Sequence, residues 1–396
     1  MFGSENDSRV LVAGASARQN ARFLKASGFS VVAVDFFADR DTSHDAQCVK
    51  VESFEELANV AVAQNFDRWM MAGGLENHPT IIGRLNRIGP HLGSTADTIS
   101  SSRDLHRINL VLKSDPRFCQ MPHTVYRQPH DGRRVVVGRD NPITNCRWIS
   151  KRTKSAAGLS IKSASLDMRL ENGQMVQEFI EGDATGGLFI SDGERCRLLN
   201  VFESLPAPHS EFQYGGSIST VTDDNTIQQM ESTGQELARQ LNLKGIFGID
   251  FVVAPDAVLL LEINPRITAS CELLPVSGKT IIDWHIDSCC GNLPASVDRF
   301  ANQRKDQTHF SGKLICYSGA GRVIPVDDRL SDFLFDFNDG ETSLADIPVS
   351  GAMLRPQAPV VSILSSGESP ADVRRRLKQT SAIVQLHLGQ QLSRHS

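Results

Sequence analysis

No stretch of this 396-residue chain approaches the roughly 18 consecutive apolar residues that a membrane-spanning helix needs. The polar start MFGSENDSR is no signal peptide, so a cytoplasmic location and no membrane partner are expected. The eight cysteines (48, 119, 146, 196, 271, 289, 290 and 316) contain no Cys-x-x-Cys, so neither a zinc site nor a disulfide framework is indicated. Adjacent Cys289 and Cys290 read as small core residues. Positive charge is also in short supply. With 41 basic against 46 acidic residues the net charge is -5, which gives no reason to expect a nucleic-acid groove. Internal repeats and low-complexity tracts are missing. A hydrophobic share of 40% and a charged share of 22% remain, the composition of a globular protein with room for two or three domains.

What the chain does contain is organised around Lys244 to Arg266, KGIFGIDFVVAPDAVLLLEINPR. Two apolar strand-like runs, Ile246 to Val253 and Ala257 to Ile263, flank the turn pair Pro255-Asp256 and predict a β-hairpin. Side chains alternate faces along a strand, so Glu262 and Asn264 point the same way and the antiparallel partner brings Asp250 within reach. Two carboxylates and an amide oxygen suit a hard cation such as Mg²⁺, with Mn²⁺ as an alternative. Arg266 adds a planar cation able to grip a phosphoryl or carboxylate oxygen. The bland alternative is a hairpin whose polar residues are merely solvated. It is disfavoured because ionisable groups embedded in such apolar runs are costly to bury without a partner.

Taken in order, Arg9 to Gly14 reads as a buried strand, Ala15 to Ser27 as a helix stopped by Gly28, and Val31 to Val34 as a second strand closed by Asp35. This is the start of a parallel α/β unit. GASARQ holds one glycine where a dinucleotide fingerprint needs three, so the unit reads as a structural lobe whose first turn lines a cleft. A further strand, Trp69 to Ala72, ends in Gly73-Gly74-Leu75-Glu76-Asn77-His78. There Glu76 and Asn77 either face a substrate at the strand ends or serve as turn residues. The small polar run Ser94 to Ser102 marks a lobe boundary, and Asp104 to Leu112 carries helical spacing.

Past a strand at Arg147 to Lys151, the run Arg152-Thr153-Lys154-Ser155-Ala156-Ala157-Gly158 suits a flexible cover over phosphates, or an ordinary basic hairpin loop. Met175 to Asp183 (MVQEFIEGD) is a strand running into an extended linker, an edge on which an adenine can hydrogen-bond with a carboxylate nearby for ribose. Leu188 to Ile190 and Leu198 to Phe202 continue as strands. Thr226 to Leu241 is a helix with Ile227, Met230, Gly234, Leu237 and Leu241 as its inner stripe. From about Phe310 the texture changes to short strands and turns, closing with a helix that Ser369 caps and Pro370 opens.

With these pieces in this order the chain resembles the ATP-grasp superfamily of carboxylate-amine ligases. LEINPR with the upstream GID is the most specific match, supported by QEFIEG and by ISKR with its small-residue loop. The resemblance implies an α/β chain, α+β in its centre, divided into a Rossmann-like lobe (1–100), an ATP-grasp domain (101–300) and a small β-rich C-terminal domain (301–396). That last piece is assigned a structural or dimer-forming role. It further implies ATP and Mg²⁺, with the ion held by Asp250, Glu262 and Asn264. Lys151 would contact phosphate and adenine, the loop residues Lys154, Ser155 and Gly158 would cover the phosphates, Gln177, Glu178, Phe179 and Ile180 would hold adenine, and Glu181 or Asp183 would hold ribose. Two departures stand out. The usual first phosphate-binding lysine is absent from Ser102-Arg103-Asp104-Leu105-His106-Arg107, where Arg103 or Arg107 would replace it. Gly248 stands where D-alanine ligases carry arginine. GASAR, DFFAD, GGLEN and INPRITAS look most like the group that includes the tyramine-glutamate ligase.

The implied reaction joins two small molecules. A carboxylate attacks the γ-phosphate of ATP, and an amine displaces phosphate from the acylphosphate, with Lys151 and Arg266 offsetting charge on the transferring oxygens. No protein nucleophile is required, and His209 and His285 read as structural. A bicarbonate-using carboxylase and an inactive nucleotide-binding protein are the alternatives.

Overall fold

The computed structural model describes residues 8–128, 132–142, 146–155, 157–319 and 321–394. The first apolar runs form a parallel sheet of β1 (Arg9–Ala13), β2 (Ser30–Asp35), β3 (Gln47–Lys50) and β4 (Arg68–Met71), in the order β3-β2-β1-β4. The cores of β1 and β2 are apolar on both faces because helices cover both sides. α1 (Arg18–Ala26) begins three residues later than its sequence pattern predicts. Ala15 N–H is taken by Gly73 O at 2.7 Å and Ala17 N–H by the Asp35 carboxylate at 2.9 Å, which keeps that segment in a turn between strand ends. α2 (Arg40–Asp45), α3 (Phe54–Val62) and α4 (Pro79–Leu85) complete the lobe, and the Ser53 hydroxyl caps α3 by accepting Glu56 N–H.

α5 (Ala96–Ser101) and α6 (Leu105–Leu112) lead into an antiparallel five-stranded sheet, ordered β6-β5-β9-β7-β8. Its strands are β5 (Thr124–Arg127), β6 (Arg134–Val137), β7 (Trp148–Arg152), β8 (Lys162–Ala164) and β9 (Gln174–Glu178). A larger sheet then starts with β10 (Asp183–Asp192), β11 (Cys196–Ala207), β12 (Ser210–Ser219) and, after α7 (Asp224–Leu241), the hairpin β13 (Lys244–Ala254) and β14 (Ala257–Asn264). α7 begins at Asp224 because Asp223 caps it, accepting Thr226 N–H at 2.9 Å. Its stripe Ile227, Met230, Leu237 and Leu241 packs with Phe189, Phe247 and Phe251 on one face of the sheet. The opposite face, with Leu188, Ile190 and Ile246, packs on α1 and on α8 (Gly278–Cys289), while α9 (Ala295–Gln303) covers β11.

The C-terminal strands do not stand apart. β15 (Phe310–Tyr317) pairs with β12, so the sheet runs unbroken past residue 300 as β14-β13-β10-β11-β12-β15-β19-β17. The remaining pieces are β16 (Ile324–Pro325), α10 (Asp328–Asp336), β17 (Thr342–Ala345), β18 (Met353–Leu354), β19 (Pro359–Gly367) and α11 (Pro370–Arg394). α11 lays Val373, Leu377, Val384 and Leu388 on β15 and β19. Among the described residues no helix is long and apolar enough to cross a membrane.

Candidate active site

The hairpin forms as its pattern predicts, with Asp250 opposite Glu262 and Gly248 opposite Asn264. A bulge makes this possible. Between Asp250 and Phe251 the register skips Leu261, so Leu260 and Val258 turn into the aromatic core while Glu262 and Asn264 stay on the other face. Without that extra residue the run LLLEIN could not bury Leu260 and Ile263 on the same side. The Asn264 amide donates to the Asp250 carboxylate at 3.0 Å. Burial first, and the neighbouring Glu262 carboxylate second, push the Asp250 carboxyl up to about 6. Two facing carboxylates, partly withdrawn from solvent and with an amide oxygen beside them, form the donor set a hard divalent cation fits. Among the described residues no group of three His, Cys, Asp or Glu side chains could hold a metal, so any such ion would depend on Asn264 as its third donor.

Three cations surround this set. Arg103, in the turn before α6, forms an ion pair with Glu262 and donates to Ile263 O at 3.2 Å. Arg107 points elsewhere, to the Ser101 hydroxyl at 2.8 Å and Gln240 O at 3.5 Å, so of the two candidate replacements only Arg103 reaches the site. Arg266 lies against Asn264 Oδ1 at 3.5 Å and is held by Glu76 at 3.0 Å. Lys151 on β7 faces the hairpin across the cleft. Burial depresses its ammonium below the usual lysine range, partly offset by Glu262. A narrow cleft opens here, lined by Arg103, Lys151, Ser155, Met175, Leu260 and Glu262 among others.

The small-residue loop after β7 reaches across. Asn77 donates to Ser155 O at 3.4 Å, Tyr214 N–H donates to Ala157 O at 3.2 Å, and exposed Lys154 puts its charge near His78. Gly158 has φ of 71° and its Cα packs on the Phe212 carbonyl, so any side chain would collide there. Ala156 lies outside the described residues. Gly248 is similarly crowded, because a Cβ would sit 2.6 Å from Thr268 Cγ2. The chain leaves no room for an arginine at that position.

The linker after β9 is arranged differently from its expected role. The Glu178 carboxylate is buried in an ion pair with Arg139, because a carboxylate so deep needs a fixed cation. Buried Gln177 donates to the Thr124 hydroxyl at 2.8 Å. The backbone N–H groups of Glu178 and Phe179 donate to His123 O and Arg147 O, each at 2.8 Å. Neither side chain is therefore turned to the cleft. Phe179 stacks under Arg147, whose guanidinium carbon sits 3.9 Å from the ring centre. Ile180 packs with Val252 and Leu259, and its N–H has no acceptor among the described residues. Glu181 and Asp183 are exposed and do not line the cleft. His285 is structural in this arrangement: its Nδ1 accepts Ile246 N–H at 2.9 Å and its Nε2 faces Leu92 O at 3.2 Å.

By sequence alone, Glu76 and Asn77 fit a substrate-facing role and a turn role equally. They prove to be partners of Arg266 and Arg103, a link between segments about 190 and 26 residues apart that no local pattern carries.

Residues 121–270 match the family model described as an ATP-grasp domain. A biotin carboxylase from Campylobacter jejuni, solved as a β,γ-ATP complex, superposes with a TM-score of 0.69 at 14% identity, covering 93% of this chain and 89% of that one. An L-amino acid ligase from Bacillus licheniformis superposes with a TM-score of 0.67 at 13% identity, covering 95% and 97%. The arginine-specific carbamoyl phosphate synthase large chain of Bacillus subtilis is 28% identical over 109 residues, 27% of this chain, and the match spans only 10% of that relative's length. The fold is thus the ATP-grasp fold, and its known examples include both ligases and carboxylases.

Proposed function

We propose that this chain, built on the ATP-grasp fold, is an ATP- and Mg²⁺-dependent ligase. It would activate a small-molecule carboxylate as an acylphosphate and join it to an amine, releasing ADP and phosphate. The observation that carries this reading is the pairing of Asp250 with Glu262 beside Asn264, next to a cleft that Glu262 lines together with Lys151 and Arg103. Asp250, Glu262 and the Asn264 oxygen would hold Mg²⁺, which when bound neutralises charge on the β- and γ-phosphates.

The chain's own side chains supply the rest. Lys151 and Arg103 would bind phosphate oxygens, Arg103 standing in for the missing lysine. Arg266 would grip the transferring phosphoryl group or the substrate carboxylate with its planar fork. Lys154, Ser155 and Gly158 would cover the phosphates and exclude water. The Ile180 N–H is the free donor for adenine on the linker after β9, with Glu181 or Asp183 reaching ribose if that linker folds inward. Gln177, Glu178 and Phe179 would shape the base pocket by supporting the linker. The narrower assignment to the group containing the tyramine-glutamate ligase rests on GASAR, DFFAD, GGLEN and INPRITAS.

The test is a screen of acid and amine pairs reading ADP formation, with a labelled-bicarbonate arm and Glu262→Gln as control. Amine-dependent ADP release that the variant loses supports the ligase. Label transfer from bicarbonate would favour the carboxylase, and undiminished turnover by Glu262→Gln would refute the metal assignment.

A further inference from the structure

We infer that the GGLEN turn, Gly73 to Asn77, is a positioning device through which the N-terminal parallel sheet completes the oxygen-ligand site: Glu76 sets Arg266 and Asn77 sets Arg103. The inference rests on the ATP-dependent reading above and extends it to two residues that touch neither nucleotide nor metal in that reading.

The turn sits at the carboxyl end of β4. Gly74, with φ of 86°, bends the chain so that Leu75–Asn77 makes a single helical turn facing the hairpin. The Glu76 carboxylate is buried, with the residue 4% exposed, and its Oε1 accepts from Arg266 Nε at 3.0 Å. Its Oε2 is buried with no partner among the described residues, and Arg266, with a smaller contribution from Arg103, offsets the charge and holds the carboxyl below the usual range against burial. Gly73 backs the guanidinium, which lies 3.6 Å from where a Cβ would be. Next along, Asn77 Oδ1 accepts from Arg103 Nη2 at 3.2 Å while its amide donates to Ser155 O on the covering loop.

Each arginine then passes to one oxygen-bearing side chain of β14. Arg103 pairs with Glu262, and Arg266 lies on Asn264 Oδ1. Two adjacent turn residues thus hold two arginines against two alternate residues of one strand. A guanidinium is planar and directional, so its value at a phosphoryl group depends on its orientation as well as its charge. A buried carboxylate fixes that orientation more firmly than water does. Docking of the N-terminal lobe is therefore coupled to the geometry of the metal ligands.

The test uses the full chain and an acid and amine pair that the wild type turns over. Glu76→Gln keeps shape and removes charge, and Asn77→Ala removes both contacts. Loss of a supporting residue is expected to lower kcat for ADP release about 10-fold or more in Glu76→Gln, with the ATP KM within about twofold and partial recovery in Glu76→Asp. Asn77→Ala is expected to weaken Mn²⁺ binding about 10-fold, read by electron paramagnetic resonance with a non-hydrolysable ATP analogue. Glu76→Gln combined with Arg266→Lys should be no slower than Arg266→Lys alone. Folded variants with kcat and Mn²⁺ affinity within about twofold of wild type, or an additive double variant, would overturn the inference while leaving the ligase reading intact. Should Glu76→Gln not fold, Asn77→Ala decides through Mn²⁺ affinity. A wild type that releases no ADP with any pair and binds no Mn²⁺ nucleotide removes the reading and the inference together.

Discussion

Two clusters of charge, one at the junction of three segments and one in the hairpin site, differ in how they are balanced. At the junction of the N-terminal lobe, the segment after the hairpin and the C-terminal strands, Arg18 is 1% exposed and bonds Asp346 at 2.9 Å and Glu272 at 2.8 Å. Lys313 adds contacts to the same acids at 3.2 Å and 3.5 Å, and Asp41 accepts the N–H groups of Asp346 and Ile347. Burial acts to raise the Asp346 carboxyl, but Arg18 and Lys313 outweigh it and hold the group well below the usual carboxylate range. In the hairpin site Arg103, Lys151 and Arg266 are also present, yet the Asp250 carboxyl is pushed up to about 6. The chain's own cations hold Asp346 and Glu272 below the usual carboxylate range, whereas Asp250 stays above it despite its cationic neighbours. The first cluster is a clasp between segments and the second a site that calls for a ligand. Asp39, at the edge of the junction, is pushed up to about 9 by burial and by Asp346, and burial raises Asp41 and Asp35 beside it as well.

Breaking each cluster should have a different consequence. Glu262→Gln is expected to lower Mg²⁺-dependent ADP formation about 10²- to 10³-fold with little change in melting midpoint, checked by steady-state kinetics and thermal unfolding. Arg18→Met should do the reverse, costing about 3–5 kcal/mol of stability by stranding buried acids while the folded protein's kinetics stay within a few-fold. Chemical denaturation with and without ligand measures that. An Arg18→Met protein of wild-type stability would mean that the junction is no clasp.

pH sharpens the contrast. Asp250 and Asp39 have folded values above their unfolded value of 3.8, so the folded chain keeps protons that the unfolded chain releases. Stability is therefore lost as pH rises, from about 4 to 6 through Asp250 and from about 4 to 9 through Asp39. Asp346 works the other way, contributing stability above the unfolded value that is lost in acid. Asp250→Asn should flatten the melting profile between pH 4 and 6, and Asp39→Asn should raise the midpoint at pH 8, each read by scanning calorimetry across pH. Mg²⁺ affinity should strengthen as pH rises through about 6, where Asp250 ionises.

Much of this was legible in the residues. The hairpin expected over 246–253 and 257–263 is found at Lys244–Ala254 and Ala257–Asn264, because its apolar runs and Pro-Asp turn act locally. The same holds for the closing helix, whose Ser369 and Pro370 mark its start. β12 was not anticipated. SEFQYGGSIS has two glycines and little apolar patterning, and it is a strand because β11 and β15 pair with it on both sides. Nor could spacing show that Glu178 is matched by Arg139, that Glu76 takes Arg266, or that Arg18 meets Glu272 and Asp346. Those pairings join distant segments and are decided by packing.

The smallest effect expected is also a discriminating one. Arg107→Ala, which among the described residues removes side-chain hydrogen bonds to Ser101 and Gln240, should leave turnover within about twofold, whereas Arg103→Ala should weaken Mg²⁺ dependence about 10-fold. Equal losses in the two variants would erase the distinction drawn between them.

On the proposed reading, Asp250, Glu262 and Asn264 together bind magnesium carrying a triphosphate. Isothermal titration of a non-hydrolysable ATP analogue into wild type and Glu262→Gln, with Mg²⁺ and with chelator, tests it most directly. Wild-type binding should require Mg²⁺ and weaken at least about 10-fold in the variant. Binding of equal strength in chelator, or undiminished in Glu262→Gln, would contradict it.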